Sequence, residues 1–247
     1  MEIHIATIVN GSETPAGDGI SGALRCVIRL QDGTKRSAIL KRGPVGQIMA
    51  EAFSALLLSK WNLPVPLPFL IDEAGAMAFA SADVGYPNLK QSLNLDSLPK
   101  GPAREAALQV CAALACSLPT TPLAAACDEA IDNRDRNLGN ILWDGNTEAW
   151  IDHALALGQG SHLQDANKLC DMALFIGQDE RLQRSAIAQA LLLDRSAPAS
   201  AETALSSVTV PTTGVVPLIA TRLNAIGNRL VARFPRPLDL LTNHDRV

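Results

Sequence analysis

The hydrophobic pattern changes character after the first third of the 247-residue chain, and this change constrains the fold more than any other feature. Short apolar runs separated by turn residues predict strands in the first part, at residues 3–9, 23–30, 36–40, 69–71 and 77–80. One longer run, GQIMAEAFSALLLSKW, has the length and composition of a helix, and NLPVPLP ends it. The first part of the chain is therefore predicted to be β-rich with a single helix.

Helices are predicted for most of the rest of the chain. The run at 102–118 begins with a proline and is followed by another, and a second helix is expected at 122–131. The segment 196–214, SAPASAETALSSVTVPTTG, has the composition of a linker on the surface. Near the C-terminus, apolar side chains three to four residues apart predict one buried helical face, made of Leu223, Ile226, Leu230 and Phe234. The fold class predicted is α+β.

Composition excludes several classes of protein. With 47% hydrophobic and 19% charged residues, the chain is expected to be globular. A net charge of −4 argues against a protein whose main role is to bind nucleic acid directly. Since no apolar run approaches the ~20 residues that span a bilayer, no membrane association is expected. The five cysteines show no metal-binding spacing and are expected to be buried, reduced thiols in a cytoplasmic protein.

Acids and amides are concentrated in DNRDRNLGNILWDGNTEAWIDH, residues 132–153. Within it, ILW and AWI flank the turn DGNTE and predict a tight hairpin over 141–151. Asn140 precedes the first strand and Asp152 follows the second, so the pairing brings these two side chains to the same end of the hairpin. An amide oxygen and a carboxylate are hard ligands that suit Mg²⁺. Asp135, on the loop before the hairpin, supplies a second carboxylate.

The spacing of Asp135, Asn140 and Asp152 matches the arrangement that kinases use for phosphoryl transfer. The strings NRD, GN and IDH resemble the protein-kinase-like superfamily, most of all the HipA-like kinases and the related phosphoinositide kinases. The resemblance implies that Asp135 accepts the proton of the acceptor hydroxyl while Asn140 and Asp152 hold Mg²⁺ on ATP. It also implies a bilobal fold, with a small β-rich N-lobe containing one helix over 1–84 and a larger, mainly helical C-lobe over 85–247.

Lys41 and Glu51 in the first part agree with this resemblance. Kinases need a strand lysine that contacts the nucleotide phosphates and a glutamate on the next helix that holds it. Glu51 lies among apolar helical neighbours, where burying a lone carboxylate is costly without a cation partner. We expect Lys41 to be that partner, with Lys35 and Arg42 as the next candidates.

Two further segments are expected to bind the nucleotide. Gly17, Gly19 and Gly22 fit the pattern G-x-G-x-x-G, and the strand that follows them favours a kinase phosphate loop over a dinucleotide-binding fold. The connector FASADVG, residues 79–85, is placed where kinases hydrogen-bond adenine through backbone groups. Ala80 and Ala82 are the expected contacts.

The function expected is that of an ATP- and Mg²⁺-dependent phosphotransferase, a HipA-like serine/threonine kinase acting on a protein. The alternatives are a small-molecule or phosphoinositide-type lipid kinase, a kinase-fold nucleotidyltransferase and a non-catalytic nucleotide-binding partner. The sequence departs from the family at Asn133 and Asn137, where relatives carry histidine, and the segment after Asp152 contains no clear regulatory phosphosite. The substrate protein is not identified, and a regulatory partner protein is compatible with the resemblance.

Overall fold

The structure is a computed structural model of the chain, and it describes residues 2–17, 22–73, 75–206, 208 and 211–234. The fold is mixed α+β, with a β-rich N-terminal region followed by a helical C-terminal region. This order follows the change of hydrophobic pattern along the sequence, so the predicted fold class is confirmed.

Six strands form the sheet of the N-terminal region: β1 (His4–Ile8), β2 (Thr14–Pro15), β3 (Leu24–Leu30), β4 (Lys35–Lys41), β5 (Pro68–Glu73) and β6 (Ala76–Ala82). Their order is β1-β5-β6-β4-β3-β2, and β1 also pairs with β3, so five of the strands close into a ring. Small side chains fill much of its narrow interior, which is made of Ala6, Cys26, Ile28, Ala38, Leu40, Phe69, Ile71, Ala78 and Ala80.

Helix α1 (Val45–Lys60) is buried on all sides along most of its length. It contacts β5, β6 and helix α7 (Ala197–Leu205), so it lies between the sheet and the helical region. Leu70 and Phe79 face α1, whereas the residues that alternate with them face the interior of the ring. Glu51 lies in this enclosed helix and is only 2% exposed.

The helical region consists of α2 (Leu89–Ser92), α3 (Pro102–Ser117), α4 (Thr121–Ile131), α5 (Lys168–Phe175), α6 (Asp179–Leu192), α7 and α8 (Val215–Ala232). Helix α4 packs against α6 and α8, and its alanines allow close approach. The predicted buried face of the last helix is confirmed, since Leu223, Ile226, Leu230 and Phe234 are all buried.

The expectation of a surface linker over 196–214 is wrong for its first half. Residues 197–205 form helix α7, in which Ala197, Pro198, Ala201 and Leu205 are buried. Proline is tolerated in the first turn of a helix, and these four positions repeat with a helical period. The polar composition of the segment concealed a helix that packs against α1.

All five cysteines are free and buried, as the sequence predicted. Among the described residues, no single helix is long and apolar enough to cross a membrane, and α3 and α4 reach that length only as a pair bent by 86°.

The burial of α7 can be tested by comparing two leucine truncations. We expect Leu205→Ala to lower the free energy of unfolding by about 2–5 kcal/mol, because it removes fully buried methyl groups. The matched control is Leu191→Ala, whose side chain is 79% exposed and should change that free energy by less than about 0.5 kcal/mol. Urea denaturation at equilibrium measures both. Equal losses for the two variants would contradict the packing of α7.

Candidate active site

The buried carboxylate of Glu51 joins the N-terminal region to the segment after the hairpin. Lys41, the last residue of β4, donates from Nζ to Glu51 Oε1 at 2.5 Å and to Asp152 Oδ1 at 2.9 Å. The other oxygen of Glu51, Oε2, accepts from the backbone N–H of His153 at 3.0 Å. The predicted Lys41–Glu51 pair is therefore present, and it includes Asp152.

Lys41 and Glu51 each favour the charged form of the other. Burial disfavours the ammonium of Lys41, yet the Glu51 and Asp152 carboxylates raise the pKa of Lys41 above its usual value. Burial also opposes ionisation of Glu51, but Lys41 and His153 lower the pKa of Glu51 well below its usual value. Both partners are therefore charged at neutral pH. Burial lowers the pKa of His153 behind them, so this imidazole is neutral.

The predicted hairpin is confirmed and sets the positions of Asn140 and Asp152. Strand β7 (Ile141–Trp143) pairs antiparallel with β8 (Glu148–Trp150), and the backbone N–H of Ile151 donates to Asn140 O at 3.1 Å. The backbones beside the two predicted metal ligands thus meet at the base of the hairpin. Asp152 has a φ of 66°, a left-handed conformation that aspartate tolerates better than most residues.

Asp135 and Asn140 are joined directly. Asn140 Nδ2 donates to the backbone oxygen of Asp135 at 2.8 Å, which fixes the orientation of the amide. The amide oxygen of Asn140 is therefore available as a ligand, and Asp152 keeps a side chain that is 31% exposed. One amide oxygen and one carboxylate suit Mg²⁺ that is also bound to phosphate oxygens. The described residues contain no cluster of three or more histidine, cysteine or acidic side chains that would hold a metal alone.

The carboxylate of Asp135 accepts a hydrogen bond from the ammonium of Lys168, the first residue of α5. Both side chains remain accessible, with exposed fractions of 31% for Asp135 and 41% for Lys168. Asp135 is thus oriented by a cation and open to a second molecule.

Arg136 anchors the loop that carries Asp135. Its guanidinium is buried and forms a bidentate pair with Asp128 of α4, with N–O distances of 2.8 and 3.1 Å. It also donates to the backbone oxygen of Ile151 at 2.6 Å and lies 5.4 Å from the ring centroid of Trp150. The loop and the residue before Asp152 are consequently held by the same side chain.

A second group of buried charges fixes the end of α4. Glu129 accepts from Arg229 Nε at 3.1 Å and from Arg233 Nε at 2.8 Å, both near the end of α8. Arg222 donates to the backbone oxygen of Glu129 at 2.8 Å and lies 2.9 Å from Asp132 at the start of the loop. Helix α8 therefore supports the loop from behind.

The two described glycines of the glycine segment lie beside the edge strand β2, whereas the first part of the predicted connector lies in β6, a central strand of the sheet. Gly17 and Gly22 both have positive φ, between β2 and β3, and Gly19 lies outside the described residues. Strand β6 extends through Ala82, so the predicted connector began too early. Ala80 is fully buried, with its backbone facing β4 and β5. The N–H of Ala82 donates to Leu67 O at 2.8 Å.

No protein-family model matches the sequence, and no curated protein matches it either. Solved structures do match it in fold. The proinflammatory kinase CtkA of Helicobacter pylori superimposes with a TM-score of 0.54 and 12% identity, over 92% of this chain and 98% of CtkA. HipA of Shewanella oneidensis MR-1, solved with HipB and operator DNA, gives a TM-score of 0.50 and 11% identity, over 92% of this chain and 66% of HipA. The chain has a HipA-like kinase fold.

Arg136, Glu129 and Lys168, which the structure places around the candidate site, were not among the residues predicted from the sequence. Asp128 and Glu129 are adjacent acids in the otherwise apolar helix TPLAAACDEAI, a pattern that requires cation partners just as Glu51 does. That signal could have identified both groups of buried charges. Lys168 gives no such signal, because it lies 33 residues after Asp135 and contacts it only in the folded chain.

The Lys41–Glu51 pair can be tested with a double-mutant cycle on stability at neutral pH. We expect Lys41→Met to lower the free energy of unfolding by about 3 kcal/mol, since it leaves the buried Glu51 carboxylate without its cation. Glu51→Gln should lower it by less, because Lys41 keeps its contact with Asp152. The double variant should lose less than the sum, with a coupling energy of about 1 kcal/mol or more.

The control cycle uses Glu180 and Arg184 on the surface of α6, whose side chains are 67% and 79% exposed. Its coupling energy should be about 0.3–0.5 kcal/mol, as for other exposed pairs on a helix. A coupling energy between Lys41 and Glu51 no larger than this would contradict a strong interaction between the two buried side chains.

Proposed function

We propose that the chain is an ATP- and Mg²⁺-dependent phosphotransferase that acts on serine or threonine of a protein. The observation that carries the proposal is the contact of Lys41 with both Glu51 and Asp152. It places the lysine proposed to bind phosphate within hydrogen-bond distance of both its helical partner and a proposed metal ligand. An ion pair on the surface could form between two side chains alone. Here three separate parts of the chain meet at a buried carboxylate.

In this proposal the N-terminal region and the helical region are two lobes, divided near residue 84, with ATP in the cleft between them. The segment between β2 and β3 would cover the phosphates, since Gly17 and Gly22 at its described ends have the conformational freedom for close approach of backbone amides. Residues 83–86, which follow β6, take over the adenine contact expected of Ala80 and Ala82. Asn140 and Asp152 would hold Mg²⁺, which neutralises charge on the transferred phosphoryl group.

Asp135 is proposed as the base, because its carboxylate is accessible and its backbone is tied to the metal ligand Asn140. Kinase activity is favoured by the likeness to CtkA, which is named a kinase, and a partner protein by the likeness to HipA, which is solved with HipB. A partner protein would also account for any association with DNA, since the chain itself is acidic. Buried, free cysteines suit the cytoplasm.

Labelled ATP tests the proposal and separates it from its alternatives. We expect the γ-phosphate, and not the α-phosphate, to be transferred to a protein hydroxyl in the presence of Mg²⁺. Asp152→Ala should abolish transfer and weaken Mg²⁺-dependent ATP binding, whereas the control Asp96→Ala, whose side chain is 79% exposed, should act like the wild type. Label from the α-phosphate would indicate nucleotidyl transfer, and label in lipid or a small molecule would indicate those kinases. ATP binding without transfer would indicate a non-catalytic partner.

The role of Asp135 predicts a separation of binding from chemistry. Asp135→Asn should leave the affinity for Mg²⁺·ATP within a few-fold, while the rate of transfer falls by about 10²-fold or more. Nucleotide fluorescence titration and phosphate-transfer rates measure the two effects. A variant that transfers phosphate normally would remove Asp135 from the reaction, and one that no longer binds ATP would place it among the metal ligands.

A further inference from the structure

Lys168 reaches Asp135 from outside the loop that carries Asp135 and Asn140. It is the first residue of α5, and its ammonium donates to Asp135 Oδ1. Asp135 is the proposed base, so Lys168 lies where the acceptor hydroxyl and the transferred phosphoryl group would meet.

The start of α5 is held rigidly. Asn167 is 2% exposed and caps the helix, with Oδ1 accepting from Leu169 N at 3.0 Å and Cys170 N at 3.3 Å. Its amide nitrogen also donates to the buried carboxylate of Glu129 at 3.3 Å. The backbone of Lys168 is therefore fixed from behind, and only its four-carbon stem is free to adjust.

The two arginines next to Asp135 in the sequence have other partners. Arg134 pairs with Asp132 at 3.0 Å and donates to Leu163 O, and Arg136 is buried against Asp128. Asn137, two residues after Asp135, uses its amide oxygen to accept from Gly139 N at 2.8 Å. Among the described residues, Lys168 is thus the accessible cation that donates to the Asp135 carboxylate.

The Asp135–Lys168 ion pair is expected to add little to the stability of the fold. Both side chains are partly exposed, and exposed ion pairs contribute little to folding. An ammonium has three N–H donors, so Lys168 can keep its hydrogen bond to Asp135 and still donate to a phosphate oxygen. We propose that Lys168 is a further catalytic residue, which contacts the phosphoryl group as it passes from ATP to the acceptor. The inference rests on the proposed phosphotransferase function.

The charge balance of the step explains the need for this cation. The acceptor oxygen forms a bond to the γ-phosphorus, and the bond from that phosphorus to the β–γ bridging oxygen breaks, with its electron pair leaving on ADP. The acceptor proton passes to Asp135. Lys168 transfers no proton in this step. Its ammonium stabilises the charge on the equatorial phosphoryl oxygens, and this stabilisation is strongest in the transition state.

The test needs no knowledge of the acceptor. The probe is ADP with Mg²⁺ and aluminium fluoride, which imitates the phosphoryl group in transfer and should bind more tightly than ADP alone. Lys168→Met should lose about 10-fold or more of this gain while the affinity for ADP stays unchanged, and Lys168→Arg should restore part of it. Hydrolysis of Mg²⁺·ATP by Lys168→Met should fall in parallel. The control is Lys100→Met, an exposed lysine before α3.

Two results would overturn the inference. A Lys168→Met protein that keeps the full gain from aluminium fluoride would show that the ammonium does not contact the phosphoryl group. Faster hydrolysis by this variant would show that the ammonium blocks Asp135 instead. Lys168→Gln gives a second variant if the methionine protein does not fold. If the wild-type protein itself binds no Mg²⁺·ATP, the proposed function fails, and this outcome is distinct from a failure of Lys168 alone.

Discussion

The site depends on the burial of one carboxylate. Glu51 sits in a helix that is enclosed on every side, and both of its oxygens have partners from other parts of the chain, Lys41 and the backbone of His153. A charge buried so deeply must be satisfied, because leaving it unpaired costs several kcal/mol. The position of strand β4 is therefore tied to the position of Asp152. This requirement holds the N-terminal region against the segment that follows the hairpin.

Buried and exposed charges have different tasks around the loop that carries Asp135. Arg136 and Glu129 are enclosed and bind groups on the hairpin, α4 and α8, so they set where the backbone lies. The Asp135–Lys168 pair is accessible and adds little to stability. A rigid backbone with accessible charges at its surface suits catalysis, because preorganised groups need little reorganisation when charge develops. Glu51 and Asp152 differ in the same way, because Glu51 is buried whereas the side chain of Asp152 is partly exposed.

Residues with local signals were predictable from the sequence. The turn DGNTE fixed the hairpin, and with it the shared end of Asn140 and Asp152, while the isolated acid Glu51 required a cation that Lys41 supplies. Helix α7 was missed because its serine, alanine and proline content hid a helical period, and the connector was set too early because β6 extends through Ala82. Lys168 could not be found, since its contact with Asp135 arises from the packing of α5 and not from spacing.

The central claim is that Lys41, Glu51, Asn140 and Asp152 form one nucleotide site. A crystal structure with Mg²⁺ and a non-hydrolysable ATP analogue tests it most directly. We expect the metal on Asp152 and the amide oxygen of Asn140, with Lys41 contacting a phosphate oxygen while it remains paired with Glu51. An analogue bound elsewhere, or a Lys41–Glu51 separation above ~6 Å with nucleotide present, would contradict the account.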